Sequence, residues 1–227
     1  MREMRIFTMH MWWRASRLVA QLLVFLVVTA LAAPEAQAAN AAETFVQSNI
    51  DKTYAILNDA SLTTSEREQR FRTLLLSVVD VGRVARFTLG PYVRNATPSD
   101  AQTFERSFAD FLVAVYQRGL DNYASPRVTG STERAPDDVI VSVTATAPNG
   151  KGPQLSLAFR VRGSGAGQLI TDLQVEGAWL AISQRSDFTA YLQQHNADIA
   201  GLASELEKRS MQLRLSQSES DIHRRDR

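Results

Sequence analysis

The sequence of 227 residues contains no cysteine and only three histidines. The absence of cysteine excludes disulfides, a thiol nucleophile and a lipidated cysteine at an export signal. Three scattered histidines do not supply the cluster of histidine and carboxylate ligands that a catalytic zinc site needs. We therefore expect neither a metal nor any other cofactor, and we expect the fold to be stabilised by its apolar core.

A cleaved export signal is predicted for residues 1–38. Arginines precede an apolar run from Leu18 to Ala32, and the tripeptide Ala36-Gln37-Ala38 follows it. A basic flank, an apolar centre and small residues at the end are typical of a secretory signal. Gln21 interrupts the run, which is shorter than the roughly 20 residues of a membrane-spanning helix, so a retained anchor is the less favoured alternative.

The charge of the chain gives no sign of a nucleic-acid partner. Of 25 basic and 24 acidic residues, the predicted signal contains four and two, so the remaining chain has a net charge of −1. Binding to a phosphate backbone requires an excess of basic residues that this chain does not have. The remainder is long enough for one domain, placed at residues 39–209, and the polar segment 210–227 is predicted to be disordered.

Helical patterns occupy the first half of the predicted domain. Asn40 and Glu43 have the spacing of a capping box ahead of a first amphipathic helix, and Thr63 offers an N-cap for a second. Gly90-Pro91 ends a short third helix, because proline disfavours helical geometry in the residue before it. Thr97-Pro98-Ser99-Asp100 then has each part of a helix start and precedes the longest helix.

A period of two residues replaces the helical period from Arg127 onward. Alternating runs at 139–146 and 154–161 flank Asn149-Gly150, which is a strong hairpin signal. Further runs at 127–133 and 169–175 bring the number of strands to about four, and a helical pattern returns after Gly177. We predict an α+β fold: a curved antiparallel sheet of about four strands, packed by N- and C-terminal helices into a cone of the NTF2/cystatin type.

Two features resemble functional motifs but have structural explanations. The glycines of segment 163–167 precede a strand and not the helix start that a phosphate loop requires, so they predict a turn. Asp172 and Glu176 would lie about 13 Å apart on a regular strand, beyond the roughly 5–9.5 Å between paired catalytic carboxylates. We expect them to belong to a solvated polar face near Arg160 and Arg162.

The remaining signal is apolar. The long helix and the sheet face carry more large side chains than a small core requires, among them Phe108, Tyr116 and Trp179. A closed core is the simplest interpretation of this pattern. An apolar pocket is the alternative, and the pattern alone leaves both open.

Two longer segments have a recognisable pattern. In ARFTLGPYVRNATPSDAQTFERSFADFLVAVYQRGLDNY, residues 85–123, a short helix leads through Arg-Phe-x-Leu-Gly, an aromatic residue, Arg and Ala-Thr-Pro into a long helix. DLQVEGAWLAISQRSDF, residues 172–188, contains Asp, Val-Glu-Gly, Arg and Phe. Both resemble the MlaC family, the toluene-tolerance auxiliary proteins, and the resemblance extends from about residue 45 to 206.

This resemblance implies a monomeric periplasmic carrier without enzymatic activity. It implies that phospholipid acyl chains bind in a pocket between helices and a curved sheet. It also implies shuttling between the inner- and outer-membrane complexes of an ABC-type system that maintains outer-membrane lipid asymmetry. Two positions depart from the family: Val93 replaces a usual aromatic residue and Trp179 a usual serine. Trp179 is similar to the residue of a hopanoid-associated subgroup, which implies a polycyclic lipid as an alternative cargo.

Candidate lipid contacts follow from the apolar faces. They are Phe111 and Val115 on the long helix, Val141, Val143, Leu157, Phe159, Leu173 and Val175 on the sheet, and Trp179 at the rim. We expect tryptophan in place of Val143 or Leu157 to block the pocket without disrupting the fold.

The sequence pattern indicates no local structural role for Tyr92 and Arg94. We therefore predict that they contact a lipid headgroup or a protein partner. Two other functions stay open: an isomerase or dehydratase that uses Asp172 or Tyr92, and an envelope scaffold that binds no ligand.

Overall fold

The computed structural model describes residues 33–120, 124–146 and 154–225. The helices before the sheet are α1 (Ala33–Leu57), α2 (Thr64–Val78), α3 (Val81–Leu89), a 3-10 helix (Gly90–Arg94) and α4 (Pro98–Leu120). The strands are β1 (Ala124–Ala135), β2 (Asp138–Thr146), β3 (Leu155–Arg162), β4 (Leu169–Val175) and β5 (Ala178–Trp179). After the sheet come α5 (Leu180–Gln194) and α6 (Ile199–Arg225).

Side-chain caps explain where α2 and α4 begin. The Thr63 hydroxyl accepts a hydrogen bond from the Glu66 N–H at 3.2 Å, and the Glu66 carboxylate accepts one from the Thr63 N–H at 2.8 Å. The Thr97 hydroxyl accepts in the same way from the Asp100 N–H at 3.1 Å. These bonds satisfy backbone donors that lack a partner within the helix. Both predicted helix starts are confirmed.

Gly90 ends α3 in a conformation that favours glycine. Its φ is +59°, and the Nε of Arg185 in α5 lies 3.2 Å from the point that a Cβ would occupy. A side chain at this position would be strained and would press on the arginine. The predicted corner is therefore confirmed, and it is also where α5 packs on the end of α3.

The start of α1 differs from the prediction. Because the helix already runs from Ala33, Asn40 lies within it and is not its N-cap. The Glu43 carboxylate accepts a hydrogen bond from the Ser131 hydroxyl of β1 at 2.6 Å instead of closing a capping box. The alanine-rich residues before Asn40 have high helix propensity, which explains why the helix continues past the cap signal. The predicted signal boundary falls inside α1, and residues 1–32 lie outside the described residues.

The five strands form one antiparallel meander in the order β1-β2-β3-β4-β5, curved and not closed. The predicted α+β class is confirmed, with a short fifth strand that the pattern did not reveal. The Asn149-Gly150 turn lies outside the described residues, although the strands it joins pair as predicted. Pairing places six of the predicted contacts in two rows across the sheet, which are Val141–Phe159–Leu173 and Val143–Leu157–Val175.

A bulge in β4 changes which residues face inward. Ile170 and Asp172 pair with the consecutive β3 residues Val161 and Arg160, so Thr171 between them is an extra residue without a partner in the register. The bulge places Ile170 on the same face as Leu173. Leu169, which simple alternation predicts to face inward, therefore lies on the other face.

The glycine-rich segment 163–167 is a turn, as predicted. Gly163 has a φ of +87°, and a Cβ there would lie 2.4 Å from the Gly167 carbonyl oxygen. Backbone therefore fills the space that a side chain would need. The segment leads from β3 into β4 and contains only a 3-10 helix, Gly165–Gly167, so it lacks the α-helix N-terminus of a phosphate loop.

The apolar interior has two parts. The first lies among α3, α4, α5 and α6, where Phe104, Phe108 and Phe188 pack with ring centroids 5.8–6.2 Å apart. The second lies between α1 and the sheet, where Ala42 and Val46 cover the inward valines of β2. We call these the helical core and the sheet core.

The segment from residue 210 onward was predicted to be disordered, but it continues α6 as far as Arg225. Ser210 is buried and its hydroxyl donates to the Leu206 carbonyl at 2.7 Å, while Leu213 packs against the helical core. These contacts lie on one face of the helix, but many polar residues separate them in the sequence, which is why the pattern predicted disorder. Within residues 33–225, the described helices include none that is long and apolar enough to cross a membrane.

Candidate functional site

An apolar cavity of about 260 Å³ lies between the inner face of the sheet and the helices that cover it. Strands β3 and β4 form its floor through alternate inward residues and the bulged Ile170. Helices α1 and α2 form one wall, and the C-terminal part of α4 forms another. The floor residues are Leu155, Leu157, Phe159, Ile170, Leu173 and Val175.

The helical wall was not anticipated from the sequence. Val46, Ile50 and Tyr54 of α1 and Leu74, Leu75 and Val78 of α2 line the cavity. Their spacing of three and four residues predicts one apolar face on each helix, but many core helices share that pattern. The available signal was the broad apolar stripe of α2, which is wider than its contact with α1 alone would need.

Two polar contacts hold α1 on the sheet beside the cavity. The Glu43 carboxylate accepts from the Ser131 hydroxyl, and the Gln47 amide oxygen accepts from the Val128 N–H at 2.9 Å. Both bonds lie in the middle of α1. Farther along the same helix, Ile50 and Tyr54 face the cavity. The helix is therefore anchored at its middle and borders the cavity toward its C-terminal end.

Five of the nine predicted contacts line this cavity: Val115, Leu157, Phe159, Leu173 and Val175. The prediction from apolar facing therefore found most of the sheet floor and one residue of α4. Val141 and Val143 share the same sheet face but do not line the cavity. Both are almost completely buried beneath α1, at 0% and 1% exposure.

The remaining two predicted contacts lie elsewhere. Phe111 belongs to the helical core, is 8% exposed and lines a smaller chamber that adjoins the cavity. Trp179 is half-buried in β5, pairs with Gln174 and does not line the cavity, although the next residue, Leu180, does.

Tyr92 and Arg94 lie in the 3-10 helix, away from the cavity lining. Tyr92 is partly buried and packs against the helical core, which is a structural role that the sequence did not reveal. Arg94 is exposed. Their predicted contact with a headgroup or a partner stays a prediction.

A chamber of about 40 Å³ adjoins the cavity and contains its main polar groups, Tyr116 and Asp172. Val115 and Tyr116 line both spaces. Burial raises the pKa of the Tyr116 hydroxyl, and the charge of Asp172 raises it further. Tyr116 therefore stays neutral and offers a hydroxyl at the boundary of an apolar space.

Asp172 has a structural role at the start of α5. One of its carboxylate oxygens accepts hydrogen bonds from the Leu173 N–H at 2.9 Å and from the Ala181 N–H at 3.0 Å. Trp179, the N-cap residue, supplies no side-chain bond, so Asp172 satisfies a helix donor from the neighbouring strand. Burial raises the pKa of Asp172, while these two N–H donors and Arg160 oppose the shift.

The expectation that Arg160 and Arg162 accompany Asp172 on a polar face is only partly met. Both guanidinium groups bind Asp138, at 2.5 and 2.8 Å, and Asp138 is only 9% exposed. Hydrogen bonds from Arg160, together with the charges of both arginines, hold the pKa of Asp138 below its usual value. Glu176 lies at the turn after β4, where its carboxylate accepts from the Ser156 N–H.

These placements give little support to a catalytic site. Asp172 lines the small chamber, whereas Tyr92 packs on the helical core, so the two candidate residues do not share a cavity among the described residues. His195 caps the exposed end of α5 and bonds the Tyr191 carbonyl at 2.8 Å. No group of three or more potential metal ligands occurs in the described part of the chain.

Comparison with known proteins agrees with this geometry. The family model described as MlaC protein matches residues 47–208. A phospholipid-binding protein from Ralstonia solanacearum, solved in complex with a phospholipid, has a similar structure with a TM-score of 0.63. It is 24% identical in sequence, and the match covers 75% of this chain and 97% of that one. At this identity the likeness establishes a shared fold.

Proposed function

The chain belongs to the MlaC family, and from this membership we propose that it is a carrier that binds and transports phospholipid. The acyl chains occupy the apolar cavity between α1, α2, α4 and the sheet. The one observation that carries the proposal is this cavity, because a folded core of ordinary packing leaves few voids larger than a water molecule.

The energetics of an acyl chain favour such a space. Moving a chain of about 16 carbons out of water is worth about 0.8 kcal/mol per methylene, or roughly 10 kcal/mol. A shallow polar groove could not offset that cost. An enclosed space lined by leucine, isoleucine, valine and phenylalanine side chains can do so, and it has no charged group on its surface that the chain would need to desolvate.

Loading requires the cavity to expand. Its volume of about 260 Å³ lies just below the roughly 300–1,000 Å³ of sites that enclose drug-sized ligands, and a phospholipid with two chains is larger. The sheet floor is held by a backbone hydrogen-bond ladder, whereas α1 and α2 are held by side chains: by apolar packing, by the two bonds from α1 to β1 and by an ion pair between Arg72 and Asp110. We therefore expect α1 and α2 to separate when lipid enters.

The finer parts of the proposal come from the family. We place the carrier in the periplasm as a monomer, after removal of the predicted signal 1–38. There it would shuttle lipid between inner- and outer-membrane complexes of an ABC-type system. Val115, Leu157, Phe159, Leu173 and Val175 are the proposed acyl contacts. Val141 and Val143 lie beside them in the same sheet rows, Phe111 lines the adjoining chamber, and Trp179, Tyr92 and Arg94 are left for headgroup or partner contact.

Bound lipid is the direct test. The exported protein is purified without detergent, extracted with organic solvent, and the extract is identified by mass spectrometry. We expect about one phospholipid per chain, and a hopanoid would replace phospholipid as the cargo if Trp179 reflects that subgroup. Folded protein that yields no lipid would contradict the carrier function and favour a ligand-free scaffold.

A matched pair of variants assigns the lipid to the cavity. Leu157→Trp fills the floor from β3, whereas Ser156→Trp adds the same side chain to the exposed face of the same strand. We expect lipid to disappear from the first variant and to stay in the second. Equal loading of both would place the lipid outside this cavity.

A further inference from the structure

An open groove of about 680 Å³ runs along the outer side of the seam between α1 and α2. Its α1 side carries Ser48 and Lys52 at a spacing of one helical turn, and Ser77 lies on α2. Gln168, the residue before β4, lines the same groove. Its lining includes several polar side chains and one lysine, although most of its surface is apolar, whereas the cavity on the inner side of the same seam is lined by no charged residue.

The groove and the cavity have a common boundary. Asn49 of α1 and Leu74 and Val78 of α2 line both spaces. A molecule that lies in the cavity and emerges between these side chains therefore enters the groove. Since no backbone hydrogen-bond ladder joins α1 to α2, this seam is the place where an apolar chain can remain inside while its polar end lies outside.

Three polar groups of the groove are satisfied by their own helix. The Thr44 hydroxyl donates to the Asn40 carbonyl at 2.9 Å, the Ser77 hydroxyl to the Leu74 carbonyl at 2.7 Å, and the Asn49 amide to the Phe45 carbonyl at 2.8 Å. These groups therefore have less capacity to bind a ligand than free donors would have.

Three groups differ, because none has a side-chain partner among the described residues. The Lys52 ammonium has no carboxylate within ion-pair distance, and the Ser48 hydroxyl and the Gln168 amide make no hydrogen bond. Gln168 is only 9% exposed, but it lines the open groove, so its amide can donate to a ligand or to water there.

We propose that this groove binds the phosphate ester of a lipid headgroup. Lys52 neutralises the phosphate charge, while the Ser48 hydroxyl and the Gln168 amide donate hydrogen bonds to its oxygens. A phosphodiester carries one negative charge, which the single lysine can balance. The two uncharged donors can then form hydrogen bonds to the ionised oxygens, and such bonds are stronger than those between neutral groups. The inference rests on the proposed carrier function, because the acyl chains must occupy the adjoining cavity.

The test compares two probes with the same acyl chains, one with and one without a phosphodiester headgroup. Binding of dioctanoyl phosphatidylglycerol and of dioctanoylglycerol to the delipidated full-length protein is measured by titration calorimetry. We expect the phospholipid to bind at least about tenfold more tightly. In Lys52→Gln and in Gln168→Leu, the preference should fall toward unity while the affinity for dioctanoylglycerol stays unchanged.

Lys208→Gln is the matched control, since Lys208 is an exposed lysine of α6 outside the groove. It should keep the full preference, and thermal unfolding should show that all variants are folded. Inorganic phosphate distinguishes the two sources of the anion. Weak or undetectable binding of free phosphate supports a headgroup site, whereas Lys52-dependent binding as tight as that of the phospholipid would overturn the headgroup assignment.

The remaining outcomes separate this inference from the function on which it rests. If both lipids bind the wild type equally and Lys52→Gln changes neither, the groove does not read phosphate, and the carrier function stands. If neither lipid binds the folded wild type, the carrier function fails, and the headgroup site fails with it.

Discussion

Phe108 and Leu157 are both large apolar residues that face the interior, but their surroundings differ. Phe108 is 1% exposed. Its ring stacks on Phe104 with a centroid distance of 5.8 Å and meets Phe188 edge-on with a centroid distance of 6.2 Å. Leu157 lies on the sheet floor with the cavity in front of it. Phe108 is closely packed and borders only the small chamber of about 40 Å³, whereas Leu157 borders the larger apolar cavity.

This difference separates stability from binding. Dispersion contacts and apolar burial in the helical core contribute to the free energy of unfolding whether or not a ligand is present. At the cavity, the same kinds of side chain gain their full van der Waals contacts only when an apolar ligand is bound. A change in the helical core should therefore alter stability first, and a change on the cavity floor should alter binding first.

The largest effect is expected from Phe108→Ala. Removing this ring leaves a cavity among closely packed aromatic residues and should lower the free energy of unfolding by about 3–5 kcal/mol. Urea denaturation measures this loss, and lipid content per folded molecule should be unchanged. A loss of less than about 1 kcal/mol would mean that the helical core is not the more rigid of the two regions.

Tryptophan at Val143 and at Leu157 should have different effects, contrary to the expectation that both merely block a pocket. Val143 lies beneath α1 with no adjoining space, so Val143→Trp should destabilise the fold by about 1–3 kcal/mol. Leu157→Trp can extend into the cavity and should cost less. Equal losses in thermal unfolding would show that the space before Leu157 does not accept a larger side chain.

Asp138→Asn should reduce stability by about 1–2 kcal/mol at neutral pH. The substitution weakens the bonds to Arg160 and Arg162, and the effect is limited because both arginine side chains are 38% exposed. Urea denaturation at low and high salt provides the measurement. No difference from wild type at either salt concentration would contradict a stabilising role for this cluster.

The pH dependence of that difference has a definite sign. The pKa of Asp138 is lower in the folded than in the unfolded chain, so its contribution is present above the unfolded value, near 3.8, and is lost as pH falls through the folded value. Wild type and Asp138→Asn should therefore converge in stability on acidification. A constant gap from neutral pH to below the folded pKa would exclude ionisation as its cause.

The smallest effect is expected from Asp172→Asn, because the amide oxygen can still accept from Leu173 and Ala181. Its stability at neutral pH should differ from that of wild type by less than about 1 kcal/mol. Asp172→Ala removes both bonds and should cost about 1 kcal/mol. A large loss in the asparagine variant would show that the charge of Asp172, and not its hydrogen bonds, supports α5.

The same residue gives a pH dependence opposite to that of Asp138. Because burial raises the pKa of Asp172, the folded chain holds a proton that the unfolded chain has released, between the two values. Its contribution is therefore most favourable at low pH and decreases as pH rises through that window. Asp172→Asn should remove this decrease.

Much of the fold could be predicted from the sequence because its signals are local. The capping residues Thr63 and Thr97, the corner at Gly90 and the alternation along β2 each depend on neighbours within a few residues. The start of α1 could not be located in this way, since its alanine-rich beginning competes with the capping signal at Asn40. The bulge at Thr171 was also not predicted, because one extra residue shifts the inward-outward alternation of a strand without any distinctive residue type to indicate it.

The cavity shows where local signals end. Val143 and Leu157 have the same apolar character, the same strand periodicity and adjacent places in one row of the sheet. Only Leu157 lines the cavity, because the α1 residues Ala42 and Val46 bury Val143 completely and Leu157 only in part. The sequence by itself determined the strands and the inward face of the sheet, since periodicity and residue type are properties of the chain. The tertiary structure alone decided which inward residues meet a helix and which meet a void, because that depends on how distant segments pack.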